Sequence, residues 1–475
     1  MIVYKGEELV LHQAEGETDY LLVTFSGAWE TADATRTFFA EEPARKNRIS
    51  CLGVTTKVDY YYISPETDHV LSLIRDIATG YSRVILFGVS MGGYAALAFS
   101  RALGADIVFA GAPKWSVDPG ECEIDADTVR RNFRDGMQGM GIRPDQVQGQ
   151  IYVACDPADR EDAYNLTKIT EHIPDIHYIP VFHAEHVVMK SLNGSAVFGA
   201  LIRTLLTGDP ELLRRFISDV RRKNPTNIRN RLAVGHARHP LLCYRMVNAF
   251  YARAGDTFRD LLAGEALISL LIYRLIRAGY NREARDLFVS ATSLRLTGRR
   301  ATAPRHSGPD AFVMSSHAFV VSYDIAGARL HGRKFIIPDN TSVPVLCHET
   351  AGEKYATVLI SAQRFYIRQE GDRFLLTPDR HDKDVLRFLQ VPADRARENG
   401  QQSQVVALRT PNGYACFHPD YSNHLDSPNL LDWELLALCP LGHPDPVRTA
   451  GVTNDNIRTA IEDYKELPAA KTKRS

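Results

Sequence analysis

The sequence predicts an α/β domain with a mostly parallel sheet, followed by a helical segment and then an all-β domain. Three observations carry this. Up to about Leu206, short apolar runs alternate with amphipathic stretches, the pattern of strands covered by helices. From about Gly208 to Ser293 the texture is helical and rich in Arg, Leu and Ala. Beyond Pro309, short strand-like runs recur between turn residues, as in an all-β module. The expected divisions are therefore 1–206, a helical linker domain at 207–305, an all-β domain at 310–442 and a polar tail at 443–475.

In the first part the apolar runs predict strands at Tyr20–Phe25, Ile49–Thr55, Arg83–Phe87, Ile107–Ala110, Ile151–Ala154 and His177–Phe182. A small-residue helix is expected over Tyr94–Leu103. The middle part places Leu241, Tyr244, Val247, Ala249 and Phe250 at helical spacing and continues from Leu261 to Phe288. No convincing repeat period emerges, so packed connecting helices are expected in preference to a solenoid. The loop Thr297–Pro309 ends that texture, and strands are expected at Phe312–Tyr323, Ala356–Ile360, Arg364–Arg368, Arg373–Leu376 and Gln404–Leu408. The tail is polar apart from a helix expected at Asn454–Lys465.

Composition bounds the function. With 475 residues the chain exceeds one ordinary core. Lys plus Arg number 56 and Asp plus Glu 57, a net charge of −1, so nothing marks a nucleic-acid or anionic-membrane partner. Seven cysteines lie scattered and never form a CxxC pair, which argues against a disulfide framework and a structural zinc site. His236 and His239 lack nearby carboxylate or thiol partners, so no metal and no cofactor is expected. The apolar run Ala266–Ile276 is too short to span a bilayer, and the acidic start of the chain does not resemble a signal peptide. A cytoplasmic location is expected.

The chemistry concentrates at Val84-Ile-Leu-Phe-Gly-Val-Ser-Met-Gly-Gly93. An apolar strand ends at Gly88, a helix starts just after Gly93, and Ser90 lies on the turn between them in the pattern Gly-x-Ser-x-Gly. A turn this sharp lifts the serine Oγ out of the sheet, and it needs glycines where a Cβ would strike the neighbouring strand or helix. This is more than a helix cap: it is the setting of a nucleophile. A serine hydroxyl attacks only when a base removes its proton and a third group holds that base.

Two later strand ends supply partners in the order acid, then histidine. After Ile151–Ala154 comes Cys155-Asp-Pro-Ala-Asp-Arg-Glu-Asp162, so Asp156, Asp159 or Asp162 is expected to orient the base. After His177–Phe182 comes His183-Ala-Glu-His186. His186 is favoured as the base because it stands clear of the strand, whereas His183 borders it. The oxyanion donors are expected to be the backbone N–H of Met91, next after the nucleophile, and that of Ala28 in Thr24-Phe-Ser-Gly-Ala-Trp29. Trp29 either packs in the core or walls the substrate cleft.

Together these residues resemble the α/β-hydrolase superfamily over about 1–206, and within it the bacterial hydrolases encoded near glycan and capsule biosynthesis. The resemblance is carried by Tyr81–Leu97 around the elbow, by Ala112-Pro-Lys-Trp-Ser-Val-Asp-Pro119, and by Asp156-Pro with Asp162 followed by His186-Val-Val. It implies Asp162 as the acid. It also implies a Gly before the histidine, where this chain has Glu185. The segment from about Phe312 to Pro440 resembles a fascin-like β-trefoil, through Val405–Cys416 with Leu431–Leu438, and Thr357–Arg368 with Leu386–Val391. Tyr366 and Tyr414 then fall at equivalent places, and the copy near Phe319–Leu346 is degenerate. The expectation is a serine esterase or acyltransferase acting on a small-molecule or glycan ester. The trefoil either takes a carbohydrate or protein ligand or is an inert packing module.

Overall fold

The computed structural model describes residues 1–28, 37–123, 126–254, 267–288, 310–333, 342–360, 363–391, 397–398, 401–402, 405–418 and 423–442. Its contacts divide it into two units, Met1–Arg231 and Leu232–Ser475. The division falls inside a helix at Pro225–Gly235, so the helix Pro210–Lys223 belongs with the first unit.

The first unit is built on an eight-stranded sheet in the order β1-β2-β4-β3-β5-β6-β7-β8. Its strands are β1 (Ile2–Lys5), β2 (Leu9–Ala14), β3 (Tyr20–Phe25), β4 (Cys51–Thr56), β5 (Arg83–Val89), β6 (Ile107–Gly111), β7 (Gln150–Cys155) and β8 (Ile176–Pro180). From β4 to β8 all pairings are parallel, whereas β1 and β2 add antiparallel on the β4 edge. That hairpin was missed by the sequence reading, because its runs are short and polar at their ends. Each of the other expected strands is present, Tyr20–Phe25 with its expected ends and the rest with one or both ends shifted. The fourth begins at Cys51 rather than Ile49, and the last ends at Pro180 rather than Phe182.

Why these runs form central strands is visible in their alternation. Leu21, Val23 and Phe25, with Val84 and Leu86, face one core; Leu22, Ile85, Phe87 and Val89 face the other. Burial on both faces turns the usual polar–apolar alternation into a continuous apolar run. Phe87 stacks on Phe109 at 4.7 Å and meets Phe198 edge-on at 5.4 Å. Helices α2 (Thr67–Ala78), α3 (Met91–Ala98) and α5 (Arg160–His172) cover the first face. On the second lie α1 (Glu41–Lys46), α6 (Ser195–Leu205) and α7 (Pro210–Lys223). Between α3 and α5 a short helix α4 spans Ala126–Asn132. The expected helix Tyr94–Leu103 thus starts and stops earlier.

The second unit begins with the rest of α8 (Pro225–Gly235), then α9 (Pro240–Ala254) and the helix Leu267–Arg277. Its remainder is sheet. Strands β9 (Asp310–Ser315), β13 (Leu346–Thr350), β14 (Glu353–Ile360), β17 (Arg387–Gln390), β20 (Val405–Thr410) and β23 (Leu436–Gly442) pair in a closed circuit, a six-stranded barrel. Three hairpins branch from it: β10–β11 (Val320–Asp324, Arg329–Arg333), β15–β16 (Gln363–Glu370, Arg373–Thr377) and β21–β22 (Gly413–Phe417, Asn423–Ser427). The run expected as one strand over Phe312–Tyr323 is two, turning at Ser315–Val320 around Ala318 at φ 62°. Closure removes free sheet edges from the barrel, whose interior holds Val313, Val358, Phe388, Val406 and Leu438. The helix Leu267–Arg277 packs on β23, and Phe288 stacks on Phe312 at 4.0 Å. Trp29, the loop Thr297–Pro309, the helix expected at Asn454–Lys465 and the polar tail lie outside the described residues.

Candidate active site

The site forms at the carboxyl ends of β3, β5, β7 and β8, where the loops of a parallel sheet converge. Ser90 sits between the end of β5 and the start of α3 with φ 56° and ψ −119°, a conformation side chains rarely adopt. Such strain costs about 1–3 kcal/mol and persists only where neighbours impose it. Here the Ser90 N–H donates to the Gly111 carbonyl at 2.8 Å, and the Tyr94 N–H donates to the Ser90 carbonyl at 3.0 Å. The flanking glycines have the expected reason. A Cβ on Gly88 would lie 2.1 Å from the Gly92 carbonyl oxygen, and one on Gly92 would lie 2.2 Å from that of Phe25.

His186 Nε2 lies 2.9 Å from Ser90 Oγ, and His186 Nδ1 lies 2.7 Å from Asp162 Oδ1. The three side chains form one unbroken line. Exposure falls toward its inner end: the His186 side chain is 34% exposed and the Asp162 side chain 1%. Burial raises the Asp162 pKa above the ordinary carboxylate value, while the His186 hydrogen bond and charge, and the Lys114 ammonium, act against that rise. Lys114 is itself buried and pairs with Glu161, the residue before Asp162.

The other candidates have different partners. Asp159 is the N-cap of α5, accepting from the N–H groups of Glu161 and Asp162. Asp156 is buried and accepts from the Ala158 N–H at 3.1 Å and, across the site, from the Glu185 N–H at 3.0 Å. His183 lies past the strand in a turn at φ 61°, and burial lowers its pKa. His177 is on the edge strand β8, beside Tyr152.

Glu185 also answers the departure noted in its loop. Its φ is 58°, in the left-handed region that a glycine enters freely, so a glutamate here holds a conformation suited to glycine. Met91 opens α3, where first-turn N–H groups have no partner within the helix. Ala28 is half-buried in the segment that follows β3, and a Cβ on Gly92 would meet the Phe25 and Ser26 carbonyls where that strand ends. Sequence reasoning missed Tyr62. Its hydroxyl donates to the Ser26 carbonyl at 2.8 Å and reaches that of Val54 at 3.2 Å, and Tyr61 and Tyr62 both have positive φ. Nothing in their types signals this, since the backbone conformation decides it.

No family model and no curated protein matches this chain. Among solved structures it is similar to the capsule O-acetyltransferase of Neisseria meningitidis serogroup A, with 16% identity and a TM-score of 0.31, over 43% of this chain and 93% of that one. It is also similar to a sugar hydrolase from Lactococcus lactis, with 13% identity and a TM-score of 0.33, over 46% and 99%. A third similarity is to an α/β hydrolase enzyme from the metagenome of lagoon sediments at Mar Chica, Morocco, with 14% identity and a TM-score of 0.29, over 44% and 98%. These neighbours are hydrolases and an acyltransferase, and each covers less than half of this chain.

Proposed function

We propose that the protein is a serine hydrolase of ester substrates, with Ser90 as nucleophile, His186 as general base and Asp162 as the acid. The observation that carries this is the continuous Ser90–His186–Asp162 line on a strained strand-to-helix elbow. In this reading the Ser90 hydroxyl donates to His186 Nε2, and the Nδ1–H donates to Asp162, which fixes the tautomer. As Ser90 Oγ attacks the acyl carbonyl, its proton passes to Nε2 and then to the leaving alkoxide. The backbone N–H groups of Met91 and Ala28 would receive the oxyanion. Water, activated by the same imidazole, then releases the acid; an acceptor alcohol in its place would make the enzyme an acyltransferase. No metal or cofactor takes part in this scheme. The acyl group is proposed to be carried on a glycan, as the resemblance implies.

The test is covalent labelling by a fluorophosphonate together with turnover of aryl-ester, acetyl-sugar, acyl-thioester and peptide substrates. Ser90→Ala should abolish labelling and lower turnover roughly 10⁴–10⁶-fold. Labelling that survives Ser90→Ala would sink the assignment.

A second reading, not exclusive of the first, concerns the barrel. We propose that it is a β-trefoil, supported by the order strand, hairpin, strand repeated along the chain and by Tyr366 and Tyr414, each on the first strand of its hairpin. A ligand-binding role is favoured by Trp433, which is 43% exposed yet held edge-on by His317 at 5.4 Å and by His418 at 4.6 Å. A glycan is the proposed ligand, because an indole face suits the apolar face of a sugar. Titration of glycans against the wild type and Trp433→Ala tests it. Equal affinity in both would end this reading.

A further inference from the structure

We propose that helix α8 is a splint for the histidine loop, with Asn227 and Asn230 as positioning residues for the base. This rests on the reading of His186 given above. The loop from Val181 to Val187 carries His186 through a backbone that is strained twice, at His183 with φ 61° and at Glu185 with φ 58°. Neither residue is a glycine, so the shape must be imposed from outside.

Two sides impose it. From the β7 loop, Asp156 accepts the Glu185 N–H at 3.0 Å. From α8, amides bind the carbonyls before and at the first strained residue. Asn227 Nδ2 donates to the Phe182 carbonyl at 2.7 Å and reaches Ser191 Oγ at 3.3 Å. Asn230 Nδ2 donates to the His183 carbonyl at 3.1 Å. At spacing i, i+3 the two side chains share one helix face, so a single rigid element grips two consecutive peptides. Asn224, three residues earlier, accepts the Asn227 N–H at 3.2 Å as N-cap, ahead of Pro225, and donates to Asn193 Oδ1 at 2.9 Å.

Burial argues that these amides are not idle surface groups. Asn227 is 0% exposed and Asn230 4%. The Asn227 Oδ1 has no hydrogen-bond partner among the described residues, so the amide sits there with half of its bonding capacity unmet by them. Arg221, on α7, adds a guanidinium stacked over the Phe182 ring at 5.2 Å. What the grip would secure is the 2.9 Å approach of His186 Nε2 to Ser90, which a displacement of about 1 Å would break.

The test compares Asn227→Ala, Asn230→Ala and Asn224→Ala in the full chain, with aryl-ester kinetics, fluorophosphonate labelling rates and thermal melts. Asn227→Ala and Asn230→Ala should lower kcat and the labelling rate by about 10²-fold with KM little changed. Asn224→Ala, which removes a cap whose side chain bonds Asn193 and Asn227, should lower Tm while leaving kcat within a few-fold. Asn230→Asp keeps the shape but loses the donor and should behave as Asn230→Ala, whereas Asn230→Gln should recover part of the rate. If either alanine variant does not fold, Asn227→Ser and the Asn230 pair supply the same comparison. Wild-type kcat in Asn227→Ala and Asn230→Ala would overturn the proposal, and so would losses of rate that follow Tm equally in all three variants. A wild-type protein that takes no label would instead overturn the Ser90 reading, and this proposal with it.

Discussion

Asp162 carries opposite demands at the residue scale. Burial raises its pKa, so in the folded protein it keeps its proton to a higher pH than in the unfolded chain. Between the ordinary carboxylate value and that raised value the folded state binds more protons, so this group's contribution to stability is lost as pH rises through the window. Above that window the ionised, buried Asp162 therefore costs stability. Asp162→Asn should raise Tm above that window, an advantage that fades as pH falls through it to the ordinary carboxylate value, while kcat drops by about 10⁴-fold because the imidazole loses its orienting acceptor. A lower Tm for Asp162→Asn at every pH above the ordinary carboxylate value would contradict this. Asp159→Ala should do the reverse, removing about 0.5–2 kcal/mol of cap stability with kcat kept. These two variants, measured by melts and ester kinetics, separate the acid of the triad from its neighbour. The residues alone left three aspartates open and only the resemblance pointed to Asp162, because all three fall within seven residues, from the loop after β7 into the first turn of α5.

Two turns place the site at the element scale, and both depend on backbone more than on side chains. The elbow was legible because Gly88 and Gly92 are required there by close approach, and a glycine leaves a mark in the sequence. Gly92→Ala would force its Cβ against the Phe25 carbonyl and push α3 off β3; the expected outcome is loss of labelling together with a large fall in Tm. The histidine loop was less legible because Glu185 adopts positive φ without being glycine. Glu185→Gly should keep kcat and change stability by no more than about 1 kcal/mol, since relief of the left-handed strain offsets the greater freedom of the unfolded chain. Glu185→Val, branched at Cβ, should lose stability and rate together. Chemical denaturation with parallel kinetics distinguishes these outcomes. Helix α8 carried no functional signal at all, because asparagines on a polar helix face resemble any solvated surface until the partner loop is seen.

At the scale of the whole molecule, contacts divide the chain at Arg231/Leu232, past the end of the apolar alternation near Leu206. Helices α6 and α7 cover one face of the first sheet with Leu201, Leu205, Leu213 and Ile217. A chain of residues 1–239 should therefore fold cooperatively and hydrolyse an aryl ester, whereas 1–206, stripped of α7 and α8, should melt far lower or fail to fold. Inactive but folded 1–239 would show that the second unit is needed for the chemistry. The order of residues was enough to predict the parallel sheet, the raised serine and later loops offering aspartate and then histidine. Apolar periodicity and required glycines are local properties, written within a few residues of where they act. Folding alone brings Asp162 to His186, closes the barrel through β9 and β23, and sets Asn227 of α8 on the Phe182 carbonyl. Those are contacts between residues tens to more than a hundred positions apart, and a buried hydrogen bond leaves no period in the sequence to announce it.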